Sequence, residues 1–232
     1  MKIISFVTLA TCIFSCTVFA QSSVSNQRLF DTTGFVPDHY PQRLARFEKE
    51  PMTQGAIIFL GNSITEMGDW KTLLSDSNVI NRGISGDISY GVLKRLDEII
   101  KRQPKKIFIL IGINDIGKDI PDIVIADNIR KMILKLQAGS PNTRIYLQTI
   151  LPVNPDVKNF PQHYDKQEHV LATNKLLEEV AHEAGVRFVD LHSLFLDQEN
   201  KMDKKYTVDG LHINKSGYDL WIKFLRDSGC LK

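Results

Sequence analysis

The chain has 232 residues, 43% hydrophobic and 24% charged, with a formal net charge of +2. That is the composition of an ordinary globular protein, long enough for one large domain to bury its own core. Charges of both signs are interspersed, as in Lys94-Arg95-Leu96-Asp97-Glu98, so no basic block points to nucleic acid as a partner.

In chain order, Met1-Lys2 is followed by an uncharged apolar and small-residue run from Ile3 to Phe19. Val18-Phe19-Ala20 then offers small residues where a signal peptidase reads, before the polar Gln21-Ser22-Ser23. Residues 1–20 are therefore expected to be a secretory signal cleaved after Ala20. Two alternatives stay open: the run remains as an uncleaved anchor, since it approaches the roughly 18 residues a membrane span needs, or Cys16 is lipidated. Export to an envelope or extracellular compartment follows in all three cases, and after cleavage no stable membrane association is expected. Cys12 and Cys16 lie in this segment, so the mature chain keeps only Cys230 and can form no internal disulfide.

Residues 21–54 read as a polar, Pro-containing leader ending in a helix over 40–49 that caps one end of the domain. A domain over 55–232 follows, with a regular rhythm. Ala56-Ile57-Ile58-Phe59-Leu60, Val79-Ile80, Ile107 to Ile111, Ile145-Tyr146-Leu147 and Val186 to Val189 are short apolar runs, the mark of strands buried on both faces. Between them, residues 90–103, 123–137, 170–184 and 217–227 carry helical apolar spacing. Strands alternating with helices predict parallel crossovers, hence a three-layer α/β/α domain on a flavodoxin-like, five-stranded parallel sheet.

In such sheets ligands bind beyond the carboxyl ends of the strands. The first three runs lead directly into Gly61-Asn62-Ser63-Ile64-Thr65, Asn81-Arg82-Gly83-Ile84-Ser85-Gly86-Asp87 and Gly112-Ile113-Asn114-Asp115. Asp209-Gly210-Leu211-His212 adds a carboxylate and an imidazole near the C-terminus. Each signal has an ordinary structural explanation: helix caps, tight turns, a structural Asp–His pair. Their order, each at a strand end, does not.

These four blocks resemble those of the SGNH (GDSL-type) hydrolases, a family of esterases and acetylhydrolases, over about residues 55–220. Ser63, Gly83, Asn114 and His212 stand in the family's order. One departure is Asn62, where the family more often has aspartate. The resemblance implies the SGNH hydrolase fold, a serine esterase and no cofactor. A serine hydroxyl needs a base to take its proton, and His212 is the candidate, with Asp209 three residues earlier to orient its ring. The Ser63 and Gly83 backbone N–H groups and the Asn114 amide are the expected oxyanion donors. Asp115, Asp87 and Arg82 read as loop-ordering residues. His39, His163, His169, His182 and His192 show no metal-ligand spacing, and no phosphate-binding glycine loop is present.

The expected substrate is a small-molecule or glycan ester, with O-acetyl on a carbohydrate first. The alternatives are a lipid-directed acylhydrolase, resembling the lysophospholipase or platelet-activating-factor acetylhydrolase branch, and a binding module that has lost catalysis. The segment from Pro152 to Lys166, with Phe160, His163 and Tyr164, is expected over the catalytic edge. Oligomeric state is not legible.

Overall fold

The computed structural model describes residues 37–157 and 159–231. The expected signal segment, with Cys12, Cys16 and Ala20, lies outside the described residues. Those that are described belong to one compact unit. The helix assigned from sequence to a leader therefore belongs to the same unit as the sheet.

Five parallel strands form the sheet: β1 (Ile57–Gly61), β2 (Val79–Gly83), β3 (Lys106–Leu110), β4 (Arg144–Gln148) and β5 (Arg187–Val189), in the order β2-β1-β3-β4-β5. This is the flavodoxin-like order, with its switch point between β1 and β3. The helices are α1 (Tyr40–Lys49), α2 (Ser63–Glu66), α3 (Trp70–Leu74), α4 (Ser89–Lys94), α5 (Leu96–Lys101), α6 (Ile113–Ile116), α7 (Asp122–Gly139), α8 (Gln167–Glu183) and α9 (Lys215–Asp227). The three-layer expectation holds.

The two sheet faces are built differently. Register pairs Phe59 with Phe108 and Phe108 with Tyr146, so the three rings stack across neighbouring strands at centroid distances of 4.9 and 4.5 Å. Trp70 from α3 stacks on Phe59 at 3.8 Å, and Trp221 from α9 meets both edge-on. Alternation along the strands turns Ile58, Leu60, Ile107 and Ile109 to the opposite face, all fully buried. On that side α4, α5, α7 and α8 pack against one another.

Local features depart from the sequence reading. The short helices α2, α3 and α6 were not expected. The helix predicted over 90–103 breaks at Arg95 (φ −102°, ψ 13°) into α4 and α5. The cause is the Arg95 side chain, which turns inward to reach Asp87, the Arg82 carbonyl and the Gly61 carbonyl at 3.0, 2.9 and 3.0 Å. At the opposite end of the sheet, Lys106 is 1% exposed and donates to the Cys230 carbonyl at 2.6 Å. Cys230 itself is a buried free thiol. Among the described residues no helix is long and apolar enough to cross a membrane.

Candidate active site

The site forms where β1, β2 and β3 end. β1 runs into Asn62, whose Oδ1 accepts the Ile64 N–H at 3.1 Å and caps α2, placing Ser63 at its first turn. The short helix is gripped from outside. Trp70 Nε1 donates to the Thr65 carbonyl at 2.8 Å and the Tyr218 hydroxyl to the Ile64 carbonyl at 2.7 Å. Asn81 Nδ2 reaches the carbonyls of Thr65, Glu66 and Gly68 at 3.0, 2.9 and 3.1 Å. Polar tips of the aromatic layer thus hold the serine's helix in place.

His212 Nε2 stands 2.9 Å from Ser63 Oγ, and His212 Nδ1 stands 2.7 Å from Asp209 Oδ2. The other carboxylate oxygen accepts the backbone N–H groups of Leu211 (3.0 Å) and His212 (2.7 Å). Burial pushes the Asp209 carboxyl up, but the hydrogen bonds from the His212 backbone and ring and from Leu211 outweigh it. Its pKa falls below the ordinary aspartate value. Asp209 does not cap α9; Asn214 does, accepting the Gly217 N–H. The turn itself is braced by Thr207 Oγ1, which donates to the His212 carbonyl at 2.7 Å and accepts from Gly210 N–H.

Gly83 requires a correction. Its N–H donates to Asn81 Oδ1 at 2.8 Å and is therefore already committed. A β-carbon on Gly83 would lie 2.1 Å from the Glu66 nitrogen, so the residue is glycine to let α2 pack on the end of β2. The neighbouring glycine is placed differently. Ile84 to Asp87 forms a turn closed by Asp87 N–H to the Ile84 carbonyl at 3.0 Å, with Gly86 at φ +77° in the third position. That is the type II arrangement that glycine favours. Among the described residues the Gly86 and Ser63 N–H groups have no hydrogen-bond partner. Asn114 Nδ2 donates to the Asp87 carbonyl at 3.0 Å, so it stands next to the same turn with its second amide hydrogen uncommitted.

The loop-ordering readings hold. Asp87 is buried against Arg95. Asp115 is fully buried and accepts the Ser89 N–H at 3.0 Å and hydroxyl at 2.6 Å, with Asn128 donating to that hydroxyl. Burial pushes the Asp115 carboxyl up to about 7. Arg82, with no exposed side-chain surface, joins Glu50 and Glu98 and lies over the Phe47 ring.

The segment after β4 stands over this edge as expected. Asn154 N–H donates to the Gly210 carbonyl at 2.7 Å, tying it to the turn that carries Asp209. Phe160 meets the His212 ring edge-on at 5.3 Å, and His163 meets Phe160 at 6.2 Å. His163 is 3% exposed and stands near the Ile113 backbone without a well-directed hydrogen bond. Burial, then the neighbouring His212, drives its pKa down to about 4. Asn81, Glu66, Arg95 and Asn154 were missed in the sequence because their spacing resembles ordinary strand, helix and loop residues. Among the described residues no group of three or more His, Cys, Asp or Glu side chains could hold a metal ion.

Residues 59–220 match the model of the GDSL-like Lipase/Acylhydrolase family. The GDSL esterase/lipase CPRD49 of Arabidopsis thaliana is 28% identical over 189 residues, covering 69% of this chain and 73% of the relative. Platelet-activating factor acetylhydrolase IB subunit alpha1 of Bos taurus is 24% identical over 179 residues, covering 74% and 72%. A solved structure from Streptococcus pneumonia, described by reference to platelet activating factor, superposes with a TM-score of 0.73 at 29% identity, covering 93% of this chain and 97% of that one. Carrying the family's blocks across most of its length, on its parallel sheet, this chain belongs to the GDSL-like lipase/acylhydrolase family and is an ester hydrolase.

Proposed function

We propose that this chain is an exported serine esterase that removes short acyl groups, O-acetyl first, from carbohydrate-type alcohols. The observation that carries the chemistry is the 2.9 Å approach of His212 Nε2 to Ser63 Oγ, with Asp209 at 2.7 Å behind the ring. Ser63 attacks the ester carbonyl while His212 takes its proton, and Asp209 holds Nδ1 as the protonated nitrogen. The tetrahedral oxyanion is received by the Ser63 N–H, the Gly86 N–H and the free amide hydrogen of Asn114, with Gly86 replacing Gly83. His212 then returns the proton to the leaving alcohol, and water releases the acyl group by the same route. Retention of every reacting side chain argues against a catalytically silent binding module.

A short acyl group is supported by the Phe160 ring beside His212, on a segment tethered to the catalytic turn through Asn154. Aromatic and polar side chains there suit a sugar ring, which offers faces for stacking and hydroxyls for hydrogen bonds. Export rests on the first twenty residues of the sequence. A second reading, a lipid-type acyl acceptor, is favoured by the relatives named platelet-activating factor acetylhydrolases. Both readings transfer the acyl group to Ser63 and release an alcohol; they differ in that alcohol and in the length of the acyl chain.

A fluorophosphonate probe tests the nucleophile: it should label the wild type and leave Ser63→Ala unlabelled, and equal labelling would refute the assignment. Acyl size is read by p-nitrophenyl acetate against the octanoate below micellar concentrations. Acetate should be preferred by at least about tenfold in kcat/KM, or roughly 1.4 kcal/mol of transition-state binding. Faster turnover of octanoate would move the substrate to the lipid-directed class.

A further inference from the structure

We propose that Glu66 is a positioning residue for the esterase reaction, clamping the turn that bears Gly86 to the helix that bears Ser63; this rests on the esterase reading above. Glu66 sits three residues after Ser63, on α2. Its Oε2 accepts both the Ser85 N–H (2.5 Å) and the Ser85 hydroxyl (2.7 Å). Two bonds from one carboxylate oxygen thus join the nucleophile's helix to the residue before Gly86. On the other side of Gly86, the Asp87 N–H is fixed by the Ile84 carbonyl at 3.0 Å. The Ile84–Ser85 and Gly86–Asp87 peptide planes are thus held, one on each side of the Ser85–Gly86 peptide that carries the Gly86 N–H, so the direction of that N–H is set by its two fixed neighbours. Glycine at φ +77° has wide conformational freedom of its own, and without the clamp that N–H would sample directions away from the reacting carbonyl.

The clamp is itself fixed from outside. Arg43 on α1 approaches Glu66 Oε1 at 3.2 Å and donates to the Gly83 carbonyl at 2.9 Å. His39 Nε2 stands 3.2 Å from Glu66 Oε2. Pro37 lies against Gly86, close enough that a β-carbon there would be 3.2 Å from its Cγ. The residues around the start of α1 therefore back the oxyanion turn as a strap, through one carboxylate. The α2 end of the clamp is secured by Gly83, whose missing side chain lets the Glu66 backbone approach. A surface ion pair would serve none of these geometric ends, and Glu66 is largely shielded, with 20% of its side chain exposed.

Three variants test this with p-nitrophenyl acetate. Glu66→Ala removes the clamp and should lower kcat by roughly 10²-fold, the scale of losing one oxyanion donor, with KM changed less than about twofold. Glu66→Gln keeps an amide oxygen to accept from Ser85 and gives up the Arg43 pairing, its NH₂ replacing the oxygen that Arg43 faces, so it should recover at least about tenfold of that loss. Ser85→Ala, a mild change, removes one of the two bonds and should lower kcat roughly three- to tenfold at unchanged KM. Unchanged kcat in Glu66→Ala, or a Gln variant as impaired as Ala, would overturn the clamp. If Glu66→Ala does not fold, unchanged kcat in Ser85→Ala overturns it. Fluorophosphonate labelling of the wild type stands apart: its absence defeats the esterase reading, whereas normal labelling with indifferent Glu66 and Ser85 variants defeats only this inference.

Discussion

Asp209→Asn separates two roles that the Asp209 carboxylate performs at once. One oxygen accepts the Leu211 and His212 backbone N–H groups; the other faces His212 Nδ1 at 2.7 Å. Asparagine keeps the first role, because its carbonyl oxygen can accept the same two N–H groups. The second is inverted. An amide NH₂ now points at Nδ1, which must offer its lone pair, so the ring proton moves to Nε2 and donates to Ser63 Oγ. His212 can then no longer take the serine proton. Where the same exchange has this effect in a serine hydrolase, kcat falls by about 10⁴, equivalent to about 5.4 kcal/mol at 1.36 kcal/mol per decade. Stability should change far less, by about 1 kcal/mol for one hydrogen bond whose two groups stay paired, a shift of roughly 2–4 °C for a chain of this size. Steady-state kinetics on p-nitrophenyl acetate and a calorimetric melt of the same preparation read both quantities. A kcat within tenfold of wild type together with a melt lowered by more than 5 °C would refute the argument and leave Asp209 as a turn-forming residue only.

Asn114→Ala should lower kcat by roughly 10²–10³ with little change in KM, because its free amide hydrogen bonds more strongly to the developing oxyanion than to the ground-state carbonyl; a loss confined to KM would make Asn114 a substrate-binding residue instead. His163 supplies a pH prediction. Its folded pKa, about 4, lies below the unfolded value of about 6.5, so below pH 6.5 the unfolded chain binds the extra proton. Its contribution to stability is present above pH 6.5 and is lost as pH falls toward 4. His163→Phe should therefore flatten the decline of the thermal midpoint between pH 6.5 and 4, and a variant profile parallel to the wild type would show that the imidazole is not the group titrating.

The central strands β1, β3 and β4 were legible because they are buried on both faces, which leaves short apolar runs bounded by turn residues. The longer helices were legible through their period. Helices α2 and α3, at four and five residues, are too short to show one. The break at Arg95 was hidden for another reason: the apolar stripe Val92, Leu93, Leu96, Ile99 and Ile100 continues through it, while the cause is a single arginine reaching three partners across the fold. The convergence of Ser63 and Asn114 on one edge was readable from their places at strand ends, whereas Asp209 and His212, well beyond β5, were placed with them by the family resemblance. Gly83 and Gly86 could not be told apart, since two glycines in one loop both permit a close approach. The hydrogen bond from Gly83 to Asn81 and the positive φ of Gly86 separate them in the fold, and Asn81 reads in sequence as an ordinary strand residue.

The buried polar groups show where this fold tolerates imperfection. Among the described residues, buried side-chain atoms without a partner occur on Asn62, Asn128, Gln148 and His163. Asn62 precedes Ser63; His163 stands by Phe160 and His212; Asn128 supports the Ser89–Asp115 pair beneath Asn114; Gln148 ends β4 at the same edge and accepts from Trp221. All four thus belong to the carboxyl edge of the sheet or the layer directly supporting it. At the opposite edge, Lys106, far costlier to bury, is bonded to the Cys230 carbonyl. The reacting edge therefore demands polar side chains in a place where packing alone would put apolar ones. At Asn62 the demand is specific. Its oxygen must cap α2 so that Ser63 begins the helix, and that orientation fixes its amide nitrogen in a buried position with no acceptor. An aspartate would cap with no donor left over but would add a negative charge beside the serine. In this chain a neutral asparagine makes that cap, and Asp209 is the carboxylate bonded to His212.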